Sequence, residues 1–165
     1  LKHVIEYFNT SLQIYIDSSL YRLLGYIVLK QLAEHNRDKY ITYLLEKLAT
    51  KIIEKVKPGK ITLKEDFLIE FKSRTYCEGS DKEIVEKLAE DFHKKLRGTL
   101  GKIYFIGVED DGSIDPMPAN RFKSDRLSRL EKSLAEKTGY QVSINPVSVS
   151  GDKIIIVLIA WRPLT

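Results

Sequence analysis

The segment from Ile154 to Trp161 limits the possible folds more than any other, because every residue in it is apolar. A strand with one solvated face alternates apolar and polar residues, whereas a strand covered on both faces is continuously apolar. The segment is also far too short to span a membrane. It therefore predicts a central β-strand in a sheet that is covered on both sides.

Strand-like and helix-like patterns alternate from Lys60 onwards. The predicted elements are a strand at 67–73, a helix opened by Gly79-Ser80-Asp81 and stopped by Gly98 and Gly101, a strand at 102–108, a helix from Phe122 to Thr138-Gly139, and strands at 140–145 and 153–161, the last two joined through Pro146 and the Ser150-Gly151-Asp152 turn. The order β-α-β-α-β-β predicts an α+β domain of two layers, with two helices on one face of a four-stranded mixed sheet.

The first 57 residues have the apolar spacing of helices. Leu20, Leu24 and Ile27 belong to one predicted helix face, and Asp38 is placed to cap a second helix. Pro58-Gly59 ends this region. We therefore predict a helical hairpin at 1–58, which is also a candidate docking surface for a protein partner, followed by a domain at 59–165.

Composition narrows the class of protein. The 165 residues carry 27 Lys and Arg against 23 Asp and Glu, a net charge of +4. No apolar run approaches the length of a membrane span and no leader-like segment opens the chain, so we expect no membrane partner. The single cysteine, Cys77, excludes an internal disulfide and fits a cytoplasmic location.

Two strings of residues suggest chemistry. Alternation places Glu70 and Lys72 on one face of the first strand, and the apolar strand from Ile103 ends in Glu109-Asp110-Asp111-Gly112. If the two strands are neighbours, Asp110 can approach Glu70, and such carboxylates with a nearby lysine suit a Mg²⁺ or Mn²⁺ phosphodiester site. The alternative is a solvated turn in which Asp-Gly supplies the turn chemistry.

Basic residues are concentrated on the two helices of the predicted domain. The candidate RNA-binding residues are Lys94, Lys95, Arg97, Arg121, Lys123, Arg126, Arg129 and Lys132. Arg126, Arg129 and Lys132 follow a spacing of three and share one helix face. Such a stripe fits phosphate contacts, but it is also typical of a solvated helix face, and lysines near a helix C-terminus also complement the helix dipole.

The string Gly107-Val108-Glu109-Asp110-Asp111-Gly112, together with Glu70-Phe71-Lys72, Leu96-Arg97-Gly98-x-x-Gly101 and the helix ending at Gly139, resembles the N-terminal accessory domain of elongation-factor-like GTPases of the GTP-binding protein one group. The resemblance covers about residues 67–162. It implies an RNA-binding, ribosome-associated role in translation. The chain contains no Gly-x-x-x-x-Gly-Lys-Ser/Thr loop, so no GTPase site is expected.

The same layout is more distantly similar to the Alba-like core domain of the Schlafen family, some members of which cut transfer RNA and ribosomal RNA. That resemblance implies an Alba-like sandwich and a metal-dependent endoribonuclease site. Glu65 and Glu70 have the spacing of its two glutamates, and Asp110 follows the Gly-Val string where its aspartate stands. Glu65, Glu70 and Asp110 would then be metal ligands and Lys72 an electrostatic stabiliser. The Ala-Phe-Ala-Asn-x-x-Gly-Gly helix end of that family is absent.

Three functions remain open from the sequence. The leading hypothesis is an RNA-binding module for structured RNA such as transfer RNA or ribosomal RNA. The second is a Schlafen-like endoribonuclease that uses Mg²⁺ or Mn²⁺. The third is a protein-interaction domain that docks on a ribosomal or GTPase partner through residues 1–57.

Overall fold

The computed structural model describes residues 61, 64–66, 68–99 and 101–162. The predicted helical hairpin at 1–58, with the partner surface proposed for 1–57, lies outside the described residues and stays a prediction.

The described elements alternate much as the sequence predicts. They are β1 (Ile69–Lys72), α1 (Asp81–Lys95), β2 (Gly101–Ile106), β3 (Met117–Pro118), α2 (Ser124–Thr138), β4 (Gln141–Ser150) and β5 (Lys153–Trp161). The described part of the chain is therefore α+β, with two α-helices and a mixed sheet, as expected.

The sheet has five strands rather than the predicted four. β1 runs parallel to β2, and β5 pairs antiparallel with β2, β3 and β4. Because β4 lies along one side of β5 for its whole length, β2 and β3 share the other side. The extra strand β3 is only two residues long, and nothing in the local pattern around Pro116 and Pro118 distinguishes it from a loop.

The apolar C-terminal segment is a central strand, as predicted. Ile154 to Trp161 are all buried, and the residues of β2 are buried as well. The predicted end of β4 at Pro146 is wrong, because the strand continues to Ser150 and pairs Pro146 with Ile156. Among the described strands β4 pairs with β5 alone, and such an edge strand tolerates a residue without an N–H group.

Local signals explain where the helices begin and end. Ser80 caps α1 by accepting a hydrogen bond from the Glu83 N–H, and the Glu83 carboxylate accepts one from the Ser80 N–H at 2.7 Å. Gly139 ends α2 at a φ of 73°, a left-handed conformation that glycine adopts without strain. α2 begins at Ser124, two residues later than Phe122, because a 3-10 turn occupies Ala119–Arg121.

Both helices pack on one face of the sheet around a shared core. Phe92 of α1 and Leu134 of α2 meet Tyr104 of β2 and Leu158 of β5, and the rings of Phe92 and Tyr104 lie 5.3 Å apart. Since residues alternate across a strand, Glu70 and Lys72 of β1 lie on this same helix-covered face.

The outer side of β1 is bonded by residues that precede it. Asp66 Oδ1 accepts hydrogen bonds from the N–H groups of Leu68 and Ile69, both at 2.9 Å. Glu65 Oε1 accepts from the N–H of Phe71 at 2.8 Å, and the Asp66 N–H donates to the Ile69 carbonyl at 3.0 Å. The carbonyl groups of Leu68 and Lys72 point towards β2. The backbone N–H and C=O groups of Ile69 and Phe71 therefore point away from β2.

Candidate functional site

The two strings singled out in the sequence lie side by side. Glu70 is level with Tyr104 in the parallel pairing of β1 and β2. The N–H groups of Gly107 and Val108 donate to the Lys72 carbonyl at 2.8 and 3.2 Å. The loop that holds Asp110 therefore starts where β1 ends, as the sequence predicts.

Glu70 is the centre of a buried ionic network. Glu70 is only 5% exposed. Its Oε1 lies 2.9 Å from Lys72 Nζ and 3.1 Å from Lys95 Nζ. Its Oε2 lies 3.1 Å from Lys102 Nζ. Burial alone would raise the pKa of Glu70, but hydrogen bonds from the three lysines lower it to about 2.

The network continues into α1 through Lys72. Besides its contact with Glu70, the Lys72 ammonium lies 3.0 Å from Asp91 Oδ1 and 5.2 Å from the centre of the Tyr76 ring. Burial would lower the pKa of Lys72, whereas the contacts with Glu70 and Asp91 raise it above its usual value. We call Glu70, Lys72, Asp91, Lys95 and Lys102 the Glu70 network; it holds two carboxylates and three ammonium groups.

Two buried polar atoms border the network. Asp91 Oδ2 and Tyr104 Oη have no hydrogen-bond partner among the described residues. Burial, followed by the charge of Asp91, raises the pKa of Tyr104, so its phenol stays protonated at neutral pH. The Lys102 ammonium, which contacts Glu70 Oε2, also donates to the Asp66 carbonyl at 2.9 Å and so links the segment before β1 to β2.

The residues predicted to bind metal occupy different environments. Glu70 and Lys72 are in direct contact, as expected from alternation. Glu65 is exposed and accepts from the backbone of Phe71, and Asp110 is exposed in the turn closed by the Gly112 N–H on the Glu109 carbonyl at 2.8 Å. Within the described ranges no group of three His, Cys, Asp or Glu side chains could hold a metal ion. A divalent ion that binds Glu70 must displace at least one ammonium, so the metal and catalytic roles stay predictions.

Most of the predicted RNA-binding residues have a carboxylate within 4 Å. Arg126 is the most engaged, since its Nε lies 2.7 Å from Asp81 Oδ1, its Nη1 donates to the Arg121 carbonyl at 2.9 Å, and its guanidinium lies 5.3 Å from the Phe122 ring centre. The remaining pairs are Arg129 with Asp81 at 3.8 Å, Lys132 with Glu136 at 3.9 Å, Lys94 with Glu90 at 2.6 Å and Lys95 with Glu70 at 3.1 Å.

Arg97, Arg121 and Lys123 differ, because their side chains form no ion pair with the described residues. Arg121 and Lys123 precede α2, whereas Arg97 follows α1. The starts of the two helices lie together, because Arg126 near the start of α2 is paired with Asp81 at the start of α1. Arg97 therefore lies at the opposite end of the helix pair from Arg121 and Lys123, about 22 Å away for a 15-residue helix.

Arg97 lines an open pocket of about 510 Å³ at the end of the domain where both helices stop. The lining residues are His93, Arg97, Gly98, Thr138, Gly139, Tyr140 and Arg162. We call this the cationic pocket, because its described lining contains two arginines and a histidine but no carboxylate side chain. Neither arginine is ion-paired with any part of the chain that the structure describes.

The fold positions the pocket wall through the end of α2. The Thr138 hydroxyl donates to the Leu134 carbonyl at 2.6 Å and accepts from the Tyr140 N–H at 3.2 Å. The Tyr140 ring, which is half-buried, meets the Phe92 ring at an interplanar angle of 86° with centroids 6.2 Å apart. Tyr140 is therefore held by the core while still forming part of the pocket.

Charge in the pocket remains positive after the helix dipoles are included. A helix C-terminus acts as about half a negative charge, so two of them contribute about −1. Arg97 and Arg162 contribute two positive charges, one from the segment after α1 and one from the segment after β5. The pocket therefore keeps about one unit of positive charge before His93 is counted, which suits an anionic group such as a phosphate.

Sequence reasoning missed several of these residues. Lys102 stands at the start of an otherwise apolar strand, and Asp91 stands beside Leu88 and Phe92 on the inner side of a helix; a buried charge in either pattern requires a partner. Those are usable signals. His93 is exposed on α1, and its place in the pocket together with Tyr140 and Arg162 has no local signature in the sequence.

Comparisons with known proteins leave the chain without an assigned family. No protein-family model matches it, and a search of curated proteins found no significant match. Of the two helices in the described ranges, neither is long and apolar enough to cross a membrane.

Proposed function

We propose that the protein is an RNA-binding module connected with translation or RNA processing, and that it holds phosphates in the cationic pocket. The proposal includes an Alba-like domain, a preceding helical hairpin and a cytoplasmic location, which rest on the sequence patterns and on the single cysteine. The observation that carries it is a concave site whose described lining contains two arginines, no carboxylate side chain and no ion pair to either arginine.

Arginine is the side chain best suited to such contacts. Its planar guanidinium donates two parallel hydrogen bonds to a phosphate, and it keeps its charge at every physiological pH. An arginine already on a carboxylate must first give up that contact. Arg97 and Arg162 have none to give up among the described residues, whereas Arg126 does. We therefore expect the pocket, rather than the Arg126 stripe, to supply most of the binding.

RNA is preferred to DNA because both families that the sequence resembles act on structured RNA. Phosphate contacts would dominate over base reading, so affinity should depend steeply on salt. The basic residues at the far end, Arg121 and Lys123, lie about 22 Å away along α2, a distance that structured RNA spans easily.

The test compares two double variants of equal charge. Arg97→Gln with Arg162→Gln removes the pocket arginines, and Lys82→Gln with Lys153→Gln removes two exposed lysines elsewhere. Binding to labelled transfer RNA is measured by fluorescence anisotropy between about 50 and 200 mM salt. We expect the pocket variant to lower the slope of log affinity against log salt by about two, one for each lost phosphate contact, and the control to lower it far less.

Equal losses in the two variants would mean that only net charge matters, and would move the site away from the pocket. Absence of binding by the unmodified protein would reject the proposed function itself.

A metal-dependent endoribonuclease is a second proposal, supported by the contact between the end of β1 and the loop of Asp110. The protein is incubated with total RNA and Mn²⁺, with and without a chelator. Because Asp110 is exposed, Asp110→Asn should fold normally and abolish any cleavage, while the neighbouring exposed Glu109→Gln should not. No discrete cleavage, or unchanged cleavage by Asp110→Asn, would exclude this site.

A further inference from the structure

The cationic pocket combines three features that a purely electrostatic surface does not need. Its volume of about 510 Å³ lies within the range of small-ligand pockets. It is concave, with arginines that reach it from two different elements. It also contains an aromatic side chain, Tyr140, which the core holds in place. We propose that the pocket takes a single unpaired nucleotide, with the phosphate between Arg97 and Arg162 and the base against Tyr140.

This inference rests on the proposed function and deepens it by naming the form of RNA that the site accepts. A base in a duplex is stacked between its neighbours and paired, so its edge is accessible in a groove but its faces are not. A concave pocket cannot take up such a base. An unpaired nucleotide in a loop, bulge or strand end presents both its phosphate and the face of its base.

The phosphate half of the site follows from charge. Arg97 and Arg162 lie on segments that are more than sixty residues apart in the chain, yet both line the pocket. No carboxylate side chain is among the described residues that line it, so the negative charge described there is the partial charge of the two helix ends. His93 adds a further donor at the same wall.

The base half follows from the position of Tyr140. The backbone N–H of this residue is bonded to Thr138 Oγ1, and its ring is set against Phe92. A ring fixed in this way loses little freedom when a base stacks on it. Stacking on an aromatic side chain tolerates every base, which fits a module that reads shape and phosphates rather than sequence.

The experiment measures binding of adenosine 5′-monophosphate, adenosine and inorganic phosphate to the whole protein by NMR titration. We expect adenosine 5′-monophosphate to bind at least about ten-fold more tightly than either of the other two, because only it satisfies both halves. Arg97→Gln should weaken the nucleotide and phosphate alike. Tyr140→Leu should weaken the nucleotide about ten-fold and leave phosphate unchanged.

Tyr140→Phe is the matched control, because it keeps the ring and the packing on Phe92 while it removes the hydroxyl. It should bind the nucleotide as the unmodified protein does. A loss equal to that of Tyr140→Leu would overturn the stacking role, as would a nucleotide that binds no better than phosphate.

Competition experiments then connect the pocket to RNA. An unpaired eight-nucleotide RNA should displace adenosine 5′-monophosphate, and a blunt duplex of the same sequence should not. If the duplex competes equally well, the inference fails. If transfer RNA binding depends on Arg97 and Arg162 while adenosine 5′-monophosphate does not bind, the inference fails but the RNA-binding function stands. If the nucleotide binds and neither RNA does, the RNA-binding function fails and the site is one for free mononucleotides.

Discussion

The Glu70 network and the cationic pocket both contain cationic side chains, but only those of the network are ion-paired within the described residues. In the network three ammonium groups surround one buried carboxylate, and a second carboxylate holds the central lysine. In the pocket two arginines lie in the open without an ion pair in the described part of the chain. Charges that already have partners stabilise the fold, whereas charges that lack them are available to a ligand.

The largest expected effect is on the network. Glu70→Gln removes the negative charge from the centre and leaves Lys102, whose side chain is 7% exposed, without its carboxylate. Removing one partner of a buried ion pair costs about 3–5 kcal/mol, so we expect the free energy of unfolding to fall by about that amount. Urea unfolding at neutral pH measures it, with Glu109→Gln in the exposed turn as the control. A loss below about 1 kcal/mol, the range typical of surface ion pairs, would show that the network does not stabilise the fold.

Acid should remove the same stabilisation. The pKa of Glu70 falls from 4.5 to about 2 on folding, so the unfolded chain takes up the proton first. The contribution of Glu70 is therefore complete above about pH 5 and is lost as pH falls towards 2, and a shift of this size corresponds to about 3 kcal/mol. Urea unfolding of the protein and of Glu70→Gln between these pH values should show their difference shrinking with acid. A constant difference would contradict the depressed pKa.

The smallest expected effect on stability is that of removing the pocket arginines. Replacing Arg97 and Arg162 with glutamine breaks no ion pair within the described residues, so the free energy of unfolding should change by no more than about 0.5 kcal/mol. The same variant should lose RNA affinity. A large loss of stability would mean that these arginines are structural, and the contrast between the two regions would disappear.

The sequence predicted correctly those strands and helix ends that are determined by residues close together in the chain. The apolar segment of β5, the Ser80 cap of α1 and the Gly139 end of α2 could all be read directly, because each depends on residues close in sequence. The two-residue strand β3 and the passage of β4 through Pro146 could not, since both depend on the pairing with β5.

The candidate site divides in the same way. Alternation correctly placed Glu70 beside Lys72, and the start of the loop after β2 is bonded to the Lys72 carbonyl, whereas the approach of Asp110 to Glu70 stays a prediction. The partners from α1 and β2, Asp91 and Lys102, come from the packing of the helix on the sheet. The pocket is lined by residues from three separate segments, 93–98, 138–140 and 162, so no local sequence motif could predict it.

The bonded outer side of β1 has a consequence for assembly. An exposed strand edge offers free N–H and C=O groups on which another chain can build, and proteins protect such edges to remain apart. Here Asp66 and Glu65 already accept from the outward N–H groups of Ile69 and Phe71. A second chain cannot extend the sheet at β1 without first removing these two carboxylates. Glu65 and Asp66 thus occupy the positions at which the N–H groups of β1 would otherwise be open to the backbone of another molecule.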